Sequence, residues 1–368
     1  IESLRRTLLD LFRAHGYQLV SPPMVEYVES LLTGSGRDLD LVTFKLVDQM
    51  SGRLLGVRAD ITPQVARIDA HILNRSGVTR LCYAGSVLHA MPGGTGRRRE
   101  LVQIGAEIYG HGGIESDIEI QRLMLQALDL AHCGQLQLDL GHVGVFRALV
   151  EHGNVVPELE LDLFQALQGK DLPALRELVA PLAQEVANAL LALSELCGGA
   201  DTLPEARRRL PDYPEIRGAL SDLEQAAQAL EHDAARCSFD LGELRGYHYH
   251  TGIVFAAYAK GHADAVGRGG RYDEIGRAFG RARPATGFTL DLRDIAAVGR
   301  NPQHRRAILA PHSNDSALRE AMARLRAEGE IVIADLPGHE RTRDEPAADR
   351  ELRLVDGRWQ VVPRTSPR

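Results

Sequence analysis

The sequence predicts an α+β protein: an antiparallel sheet flanked by helices, with a helical insertion and a short α/β tail. Two observations carry this. Alternating, β-prone stretches alternate with amphipathic ones up to residue 141, and they return at 236–242 and 251–259. Between them, residues 142–235 are rich in Leu, Ala and Glu and carry no strand signal. Strands, then helices, then strands again suit an inserted helical segment better than a parallel α/β layout. The expected divisions are 1–141 (first part of the core), 142–235 (helical insertion), 236–302 (second part of the core) and 303–368 (a reduced C-terminal α/β domain).

Residues 1–15 place Leu4, Leu8, Leu9, Leu11 and Phe12 at helical spacing. Gly16 ends that helix, and "YQLV" (17–20) starts a strand stopped by Pro22-Pro23. "FKLVD" and "RLLGVRAD" (53–60) read as a hairpin across "QMSG". "TPQVARIDAHILNR" (62–75) reads as a helix with Thr62 as N-cap and Pro63 first inside. Two strands, 79–90 and 99–110, flank the loop "MPGGTGRRR"; a helix (114–131) and a strand (135–141) follow. The insertion should hold four to six helices. In the tail, strand–helix–strand precedes "ELRLVDGRWQVVP", whose Asp-Gly marks a hairpin.

The 368 residues are 44% hydrophobic and 25% charged, with a net charge of −7. That balance is ordinary for a soluble protein and argues against a large phosphate-backbone surface. Cys82, Cys133, Cys197 and Cys237 are far apart, as expected of thiols in a reducing cytoplasm rather than a zinc cage or disulfide framework. No apolar run is long enough to span a membrane, and the first helix does not read as a secretory signal.

The loop at 89–101 invites a phosphate-cradle reading, but a P-loop needs a Lys-Ser/Thr ending between a strand and a helix. Here the lysine is missing and both flanks alternate like strands, so the glycines suit a hairpin tip. Arg97, Arg98 and Arg99 could bind an anion or form a solvated charge run. In "RGYHYHTG" (245–252), His248 and His250 share a face if the segment is extended. With no third ligand placed beside them, a binding loop fits better than a metal site. "VRADIT" sets Arg58, Asp60 and Thr62 on alternate positions; "QIGAE" does so with Gln103, Gly105 and Glu107. Two strands each showing a carboxylate and a neutral hydrogen-bonder could line a polar pocket, with acids suited to an ammonium or imidazole N–H. They could equally be the solvent face of the sheet.

The order of these pieces resembles class II aminoacyl-tRNA synthetases of the histidyl-tRNA synthetase family, from residue 1 to about 300. The matching stretches are "GYQLVSPPMVEY" (motif 1), "VRADITP", the strand–loop–strand of motif 2, "RGYHYHTGIVF" at the histidine loop, and "GGRYD" with "ATGFTLDLRD" at motif 3. The resemblance implies a histidine pocket of Asp60, Thr62, Gln103, Glu107, Arg245, Tyr249 and Tyr272. It also exposes departures. His89 and Met91 stand where motif 2 carries its phosphate-gripping arginine and glutamate, and Asp294 stands where motif 3 carries an arginine. In the histidine loop, His248 and His250 replace an aspartate and a tyrosine.

A pocket kept while activation is lost resembles the histidyl-tRNA synthetase-like regulatory subunits of short-form ATP phosphoribosyltransferase. That resemblance implies no catalytic residues, no cofactor and no metal. It implies a homodimer built on motif 1 within a hetero-oligomer, a hetero-octamer, containing the catalytic subunit, with free histidine as feedback effector. It leaves no role for tRNA or membrane, and places the chain in the cytoplasm. The competing expectations are a divergent histidyl-tRNA synthetase or related ligase, and a tRNA-binding scaffold.

Overall fold

A computed structural model of the chain describes residues 1–32, 37–91, 98–233, 235–247, 249–299, 306–338 and 345–364. The chain divides into two compact units, Ile1–Arg300 and Asn301–Arg368.

In the first unit, helix α1 (Glu2–Ala14) buries Leu8 and Phe12, one turn apart on a single face. Gly16, at φ +83°, turns the chain into β1 (Gln18–Leu19). Next come β2 (Val25–Tyr27), α2 (Val28–Leu31), α3 (Arg37–Val42), β3 (Phe44–Val47) and β4 (Leu54–Val57). These strands form a small antiparallel sheet in the order β2-β4-β3, whose β3–β4 pair is the expected hairpin.

Helix α4 (Thr62–Arg67) runs on into a π-helical turn, Ile68–Leu73. Its N-cap is Ile61, not Thr62, and Pro63 is the second helical residue. The Thr62 hydroxyl is turned toward the Tyr83 hydroxyl at 3.3 Å instead of back onto the helix amides.

The main sheet is assembled from β5 (Thr79–Leu88), β6 (Glu100–Tyr109), β7 (Leu136–His142), β8 (Cys197–Gly198), β9 (Ala235–Asp240), β10 (Ile253–Ala259), β11 (Ala265–Arg271) and β12 (Ala285–Asp291) together with β1. Its order is β1-β5-β6-β12-β11-β10-β7-β9-β8. The pairings are antiparallel except β1–β5 and β7–β9. Helix α5 (Ile114–Leu130) links β6 to β7. Helices α6 (Val143–His152), α7 (Pro157–Gln168), α8 (Leu172–Val179), α9 (Gln184–Leu193), α10 (Thr202–Arg209) and α11 (Pro214–Ala229) run between β7 and β9. The expected absence of strand in that segment is corrected by β8, whose two residues edge the sheet against β9. Two residues are too few to leave a periodic signal. After β12, helix α12 (Leu292–Val298) is capped by Asp291, which accepts from the amides of Arg293 (2.7 Å) and Asp294 (3.2 Å).

Alternation along the strands gives the sheet two unlike faces. Ile104, Ala106 and Ile108 of β6 enter a large core shared with α1, α5 and the helices between β7 and β9. Tyr83 and Tyr109 join Tyr272, Ile61 and Val65 on the opposite face. The candidate site lies on this second face.

The second unit is built from β13 (Ala307–Ala310), α13 (Ser316–Ala327), β14 (Val332–Ala334), β15 (Ala348–Val355) and β16 (Arg358–Pro363), with sheet order β14-β13-β15-β16. Ile308, Leu318, Met322 and Leu352 form its core. The β15–β16 hairpin turns on Asp356 and Gly357, both at positive φ (48° and 73°), the turn that an Asp-Gly pair favours.

Candidate ligand-binding site

A cavity of about 500 Å³ opens on the second face, lined among others by Asp60, Thr62, Arg245, Tyr249, His250 and Tyr272. Five of the seven residues expected at the site therefore line one cavity. Gln103 and Glu107 stand behind that lining on β6.

Asp60 is not on a strand: β4 stops at Val57, and α4 begins five residues later, at Thr62. The expected alternation of Arg58, Asp60 and Thr62 is lost with it. Arg58 points elsewhere, donating to the carbonyls of Ser86 (2.8 Å) and Pro22 (2.7 Å). Asp60 Oδ1 accepts the Thr62 amide at 3.3 Å, and Gln103 Oε1 accepts the Ile61 amide at 3.1 Å. Gln103 thus fixes the turn that presents Asp60. Burial raises the Asp60 carboxyl above the ordinary carboxylate range, opposed by hydrogen bonds from the Thr62 amide and Gln103.

On β6 the expected alternation holds, and Glu107 pairs across the ladder with Gly287 of β12. Glu107 is only 1% exposed. Its Oε2 accepts the Tyr109 hydroxyl, while Oε1 is buried with no hydrogen-bond partner among the described residues. Burial pushes this carboxyl up to about 8, against the opposing pull of the Tyr109 hydrogen bond. A carboxyl in that state is poised to ionise when a cationic N–H group arrives. Small residues make the room. A Cβ on Gly287 would lie 2.3 Å from the Tyr272 hydroxyl and 2.7 Å from Glu107 Cγ, and one on Gly105 would lie 2.5 Å from the Tyr83 hydroxyl.

The loop from Arg245 to His250 closes one side. It is built of turns, not extended: the amides of Tyr249 (2.9 Å) and His250 (2.8 Å) both donate to the Gly246 carbonyl. His248 lies outside the described residues. Arg245 is exposed, its Nε 3.5 Å from Glu243 Oε2. Tyr249 is 44% exposed, whereas His250 and Tyr272 are buried. The Tyr249 and His250 rings approach with centroids 4.1 Å apart. Among the described residues, no group of three His, Cys, Asp or Glu side chains could hold a metal ion.

The arginine run next to motif 2 does not behave as one unit. Arg97 lies outside the described residues. Arg99 donates to the carbonyls of His89 (3.0 Å) and Ala90 (2.8 Å) and sits over the Phe44 ring at 4.6 Å. His89 Nε2 meets the Ala59 carbonyl at 3.0 Å, beside Asp60, and Met91 is exposed. Sequence reasoning missed Tyr83 and Tyr109 as site residues. The available signal was their position: Tyr109 follows Glu107 by two on β6, and Tyr83 pairs with Gly105.

The histidyl-tRNA synthetase family matches residues 1–295, and the ATP phosphoribosyltransferase subunit HisZ C-terminal domain matches residues 305–362. Among solved structures, the ATP phosphoribosyltransferase regulatory subunit/histidyl-tRNA synthetase of Bacillus halodurans has a TM-score of 0.79 at 29% identity, covering 92% of this chain and 90% of that one. A histidyl-tRNA synthetase from a Nostoc species shares the fold, with a TM-score of 0.76 at 17% identity over 98% and 92% of the two chains. Fold and site together define a class II protein of the histidyl-tRNA synthetase type. The ATP phosphoribosyltransferase regulatory subunits of Ralstonia nicotianae and Cupriavidus taiwanensis are each 58% identical to it, over 99% of this chain and 94% of theirs. The chain belongs to the family of ATP phosphoribosyltransferase regulatory subunits.

Among the described residues, no helix is long and apolar enough to cross a membrane.

Proposed function

We propose that the chain is the non-catalytic regulatory subunit of a short-form ATP phosphoribosyltransferase in the cytoplasm, required for the catalytic subunit's activity, and that it senses free histidine for feedback inhibition. The observation that carries this is the cavity floor. Asp60 lines it, and behind that lining Glu107 holds a buried oxygen with no hydrogen-bond partner among the described residues. An ammonium and an imidazole N–H are the donors such a floor accepts. Thr62 adds a neutral hydroxyl, and Gln103 holds the Asp60 turn. Arg245, whose side chain among the described residues meets Glu243 alone at the mouth, can swing toward the ligand carboxylate. Tyr249 and Tyr272 would flank the ring.

His89, Met91 and Asp294 at the motif 2 and motif 3 positions support the loss of adenylate chemistry. A missing cation against a triphosphate removes transition-state stabilisation that adenylate formation needs. The subunit is proposed to act as a homodimer through motif 1, within a hetero-octamer containing the catalytic chain. Feedback requires histidine to favour one assembly state, with a coupling of about 1–3 kcal/mol.

The test is calorimetric histidine binding by the native chain, Glu107→Ala and Arg245→Ala, alone and with a catalytic ATP phosphoribosyltransferase. Native protein is expected to bind and both variants to bind more weakly. Absence of binding in either setting, or unchanged binding by both variants, overturns the reading. Histidine-dependent ATP–pyrophosphate exchange would establish the ligase alternative instead.

A further inference from the structure

Helix α7 is fastened to the cavity at both of its ends. Beyond its last turn, Gln168 and Lys170 line the cavity, and Lys170 Nζ meets Asp240 Oδ2, on the same wall, at 2.9 Å. In its first turn, Glu160 Oε1 accepts the Tyr247 hydroxyl at 2.7 Å. From Glu160 to Gln168 the helix rises about 12 Å. One rigid element therefore meets the loop that carries Arg245 and Tyr249 at one end and the Asp240 wall at the other.

Tyr247 belongs to the helices, not to the cavity lining. Its ring is buried, edge-on to Phe146 of α6 at 5.1 Å and stacked on Phe164 of α7 at 5.7 Å, with the Arg147 guanidinium over it at 5.3 Å. Arg147 Nη2 also donates to the His250 carbonyl at 3.1 Å. The chain on both sides of Tyr249 is thus tied to α6 and α7, while Tyr249 itself lines the cavity. The two ends of α7 are held unequally. The Lys170–Asp240 pair is 49% and 24% exposed, and such a pair yields easily. The Tyr247 end is buried, clamped by rings and bonded to a charged acceptor. A shift of the loop carries the Glu160 end of α7 with it, and the Lys170 end gives.

We propose that the Tyr247–Glu160 bond makes α7 the reporter of cavity occupancy: a ligand that engages Arg245 and Tyr249 repositions their loop, and Tyr247 passes that displacement to α7 and through it to the catalytic partner. This rests on the histidine-sensing reading above and concerns how the signal leaves the site. Tyr247 is a positioning residue and touches no ligand. A phenylalanine would fill the same aromatic nest between Phe146 and Phe164; what the hydroxyl adds is a bond whose other end lies on a different element. Coupling between sites travels through packed and hydrogen-bonded groups of this kind.

The experiment takes the full chain, alone and with its catalytic partner, as native protein, Tyr247→Phe, Glu160→Ala and Glu160→Gln. Amide hydrogen exchange with and without histidine should show native protein gaining protection in the 245–252 loop and in α7 together. In Tyr247→Phe and Glu160→Ala the loop should still respond while the response of α7 falls at least about threefold. Calorimetry should find histidine affinity of the chain alone within about twofold of native in both, while the factor by which the catalytic partner changes that affinity drops at least about threefold. Glu160→Gln, whose amide oxygen still accepts the phenol, should keep most of the coupling, and the Tyr247→Phe/Glu160→Ala double variant should lose no more than either single one. Thermal melts verify folding. If α7 responds equally in native protein and all variants, or if affinity falls as far as coupling, the relay is wrong while the sensing site stands. If native protein binds no histidine in either setting, the sensing reading has failed and the relay falls with it.

Discussion

Arg271 donates two hydrogen bonds to one carboxylate oxygen of Asp117, from Nε at 3.0 Å and Nη2 at 2.7 Å, with both side chains buried. The same guanidinium reaches the Gly113 carbonyl at 3.0 Å, Ser116 Oγ at 2.9 Å and Asp273 Oδ1 at 3.3 Å. The end of β11 is thereby fastened to the start of α5, immediately before Tyr272 enters the cavity. Arg271→Met should destabilise the fold by about 3–5 kcal/mol, because it leaves Asp117 buried and unpaired. The double variant with Asp117→Leu should recover much of that loss. Urea unfolding of the two variants decides it; a double variant no more stable than the single one would count against the pair being a matched unit.

Glu107 sets a pH dependence of ligand binding. With its carboxyl up at about 8, the protein takes up a proton that a cationic N–H group must displace. Histidine affinity should therefore climb between about pH 6.5 and 8, with close to one proton released per site near pH 7. Calorimetry in buffers of different ionisation enthalpy measures the proton directly. Glu107→Gln should bind more weakly and release none. In the ligand-free protein the sign for stability is the reverse. The folded-state value is raised above 4.5, so this contribution is full below 4.5 and is lost as pH rises through 8.

His250 works in the other direction. Its folded-state value, near 4, lies below the ordinary 6.5. The neutral ring thus contributes stability above pH 6.5 that is lost as pH falls through 4, about 3 kcal/mol at full extent. Native protein should lose stability on acidification across that window more steeply than His250→Gln. Parallel stability–pH curves for the two would show that His250 contributes nothing.

Gly287→Ala should damage the site through space alone. The added carbon would meet the Tyr272 hydroxyl at 2.3 Å, Glu107 Cγ at 2.7 Å and the Ala106 carbonyl at 2.9 Å. The ladder cannot yield on the carbonyl side, so Tyr272 and Glu107 must shift. The expected cost is about 1–3 kcal/mol, with loss of histidine binding. Gly218→Ala, an exposed helical position with open space around its Cβ, is the matched control: it should leave histidine binding unchanged and stabilise the fold by about 0.5–1 kcal/mol.

What could be read from sequence follows periodicity. Along β6 the two-residue repeat carried Gln103, Gly105 and Glu107 to one face, and they are found there. Where the repeat stops, legibility stops with it. Arg58, Asp60 and Thr62 share the same spacing, but β4 has ended, and the turn sends Arg58 to backbone carbonyls while Asp60 faces the cavity. Thr62 looked like an N-cap because Thr-Pro is a common helix start; its hydroxyl is taken by Tyr83, a contact across the fold that local pattern cannot show. His250 was visible as a titratable residue, but only the Arg245 carbonyl, placed by a turn at Gly246, distinguishes its two nitrogens.

The parallel pairing of β7 with β9 changes what the six helices between them are. The chain leaves β7 at one end of the sheet and must re-enter β9 from the other, and β7 alone, at seven residues, spans about 23 Å. The helical segment is therefore a return path and not a pendant. A tight turn cannot replace it, and a substitute linker would need on the order of a dozen residues merely to close the distance. Even then it would strip cover from the core that these helices share with the strands. Evolution can swap one such brace for another, or enlarge it, but the architecture leaves no route by which the segment is simply lost.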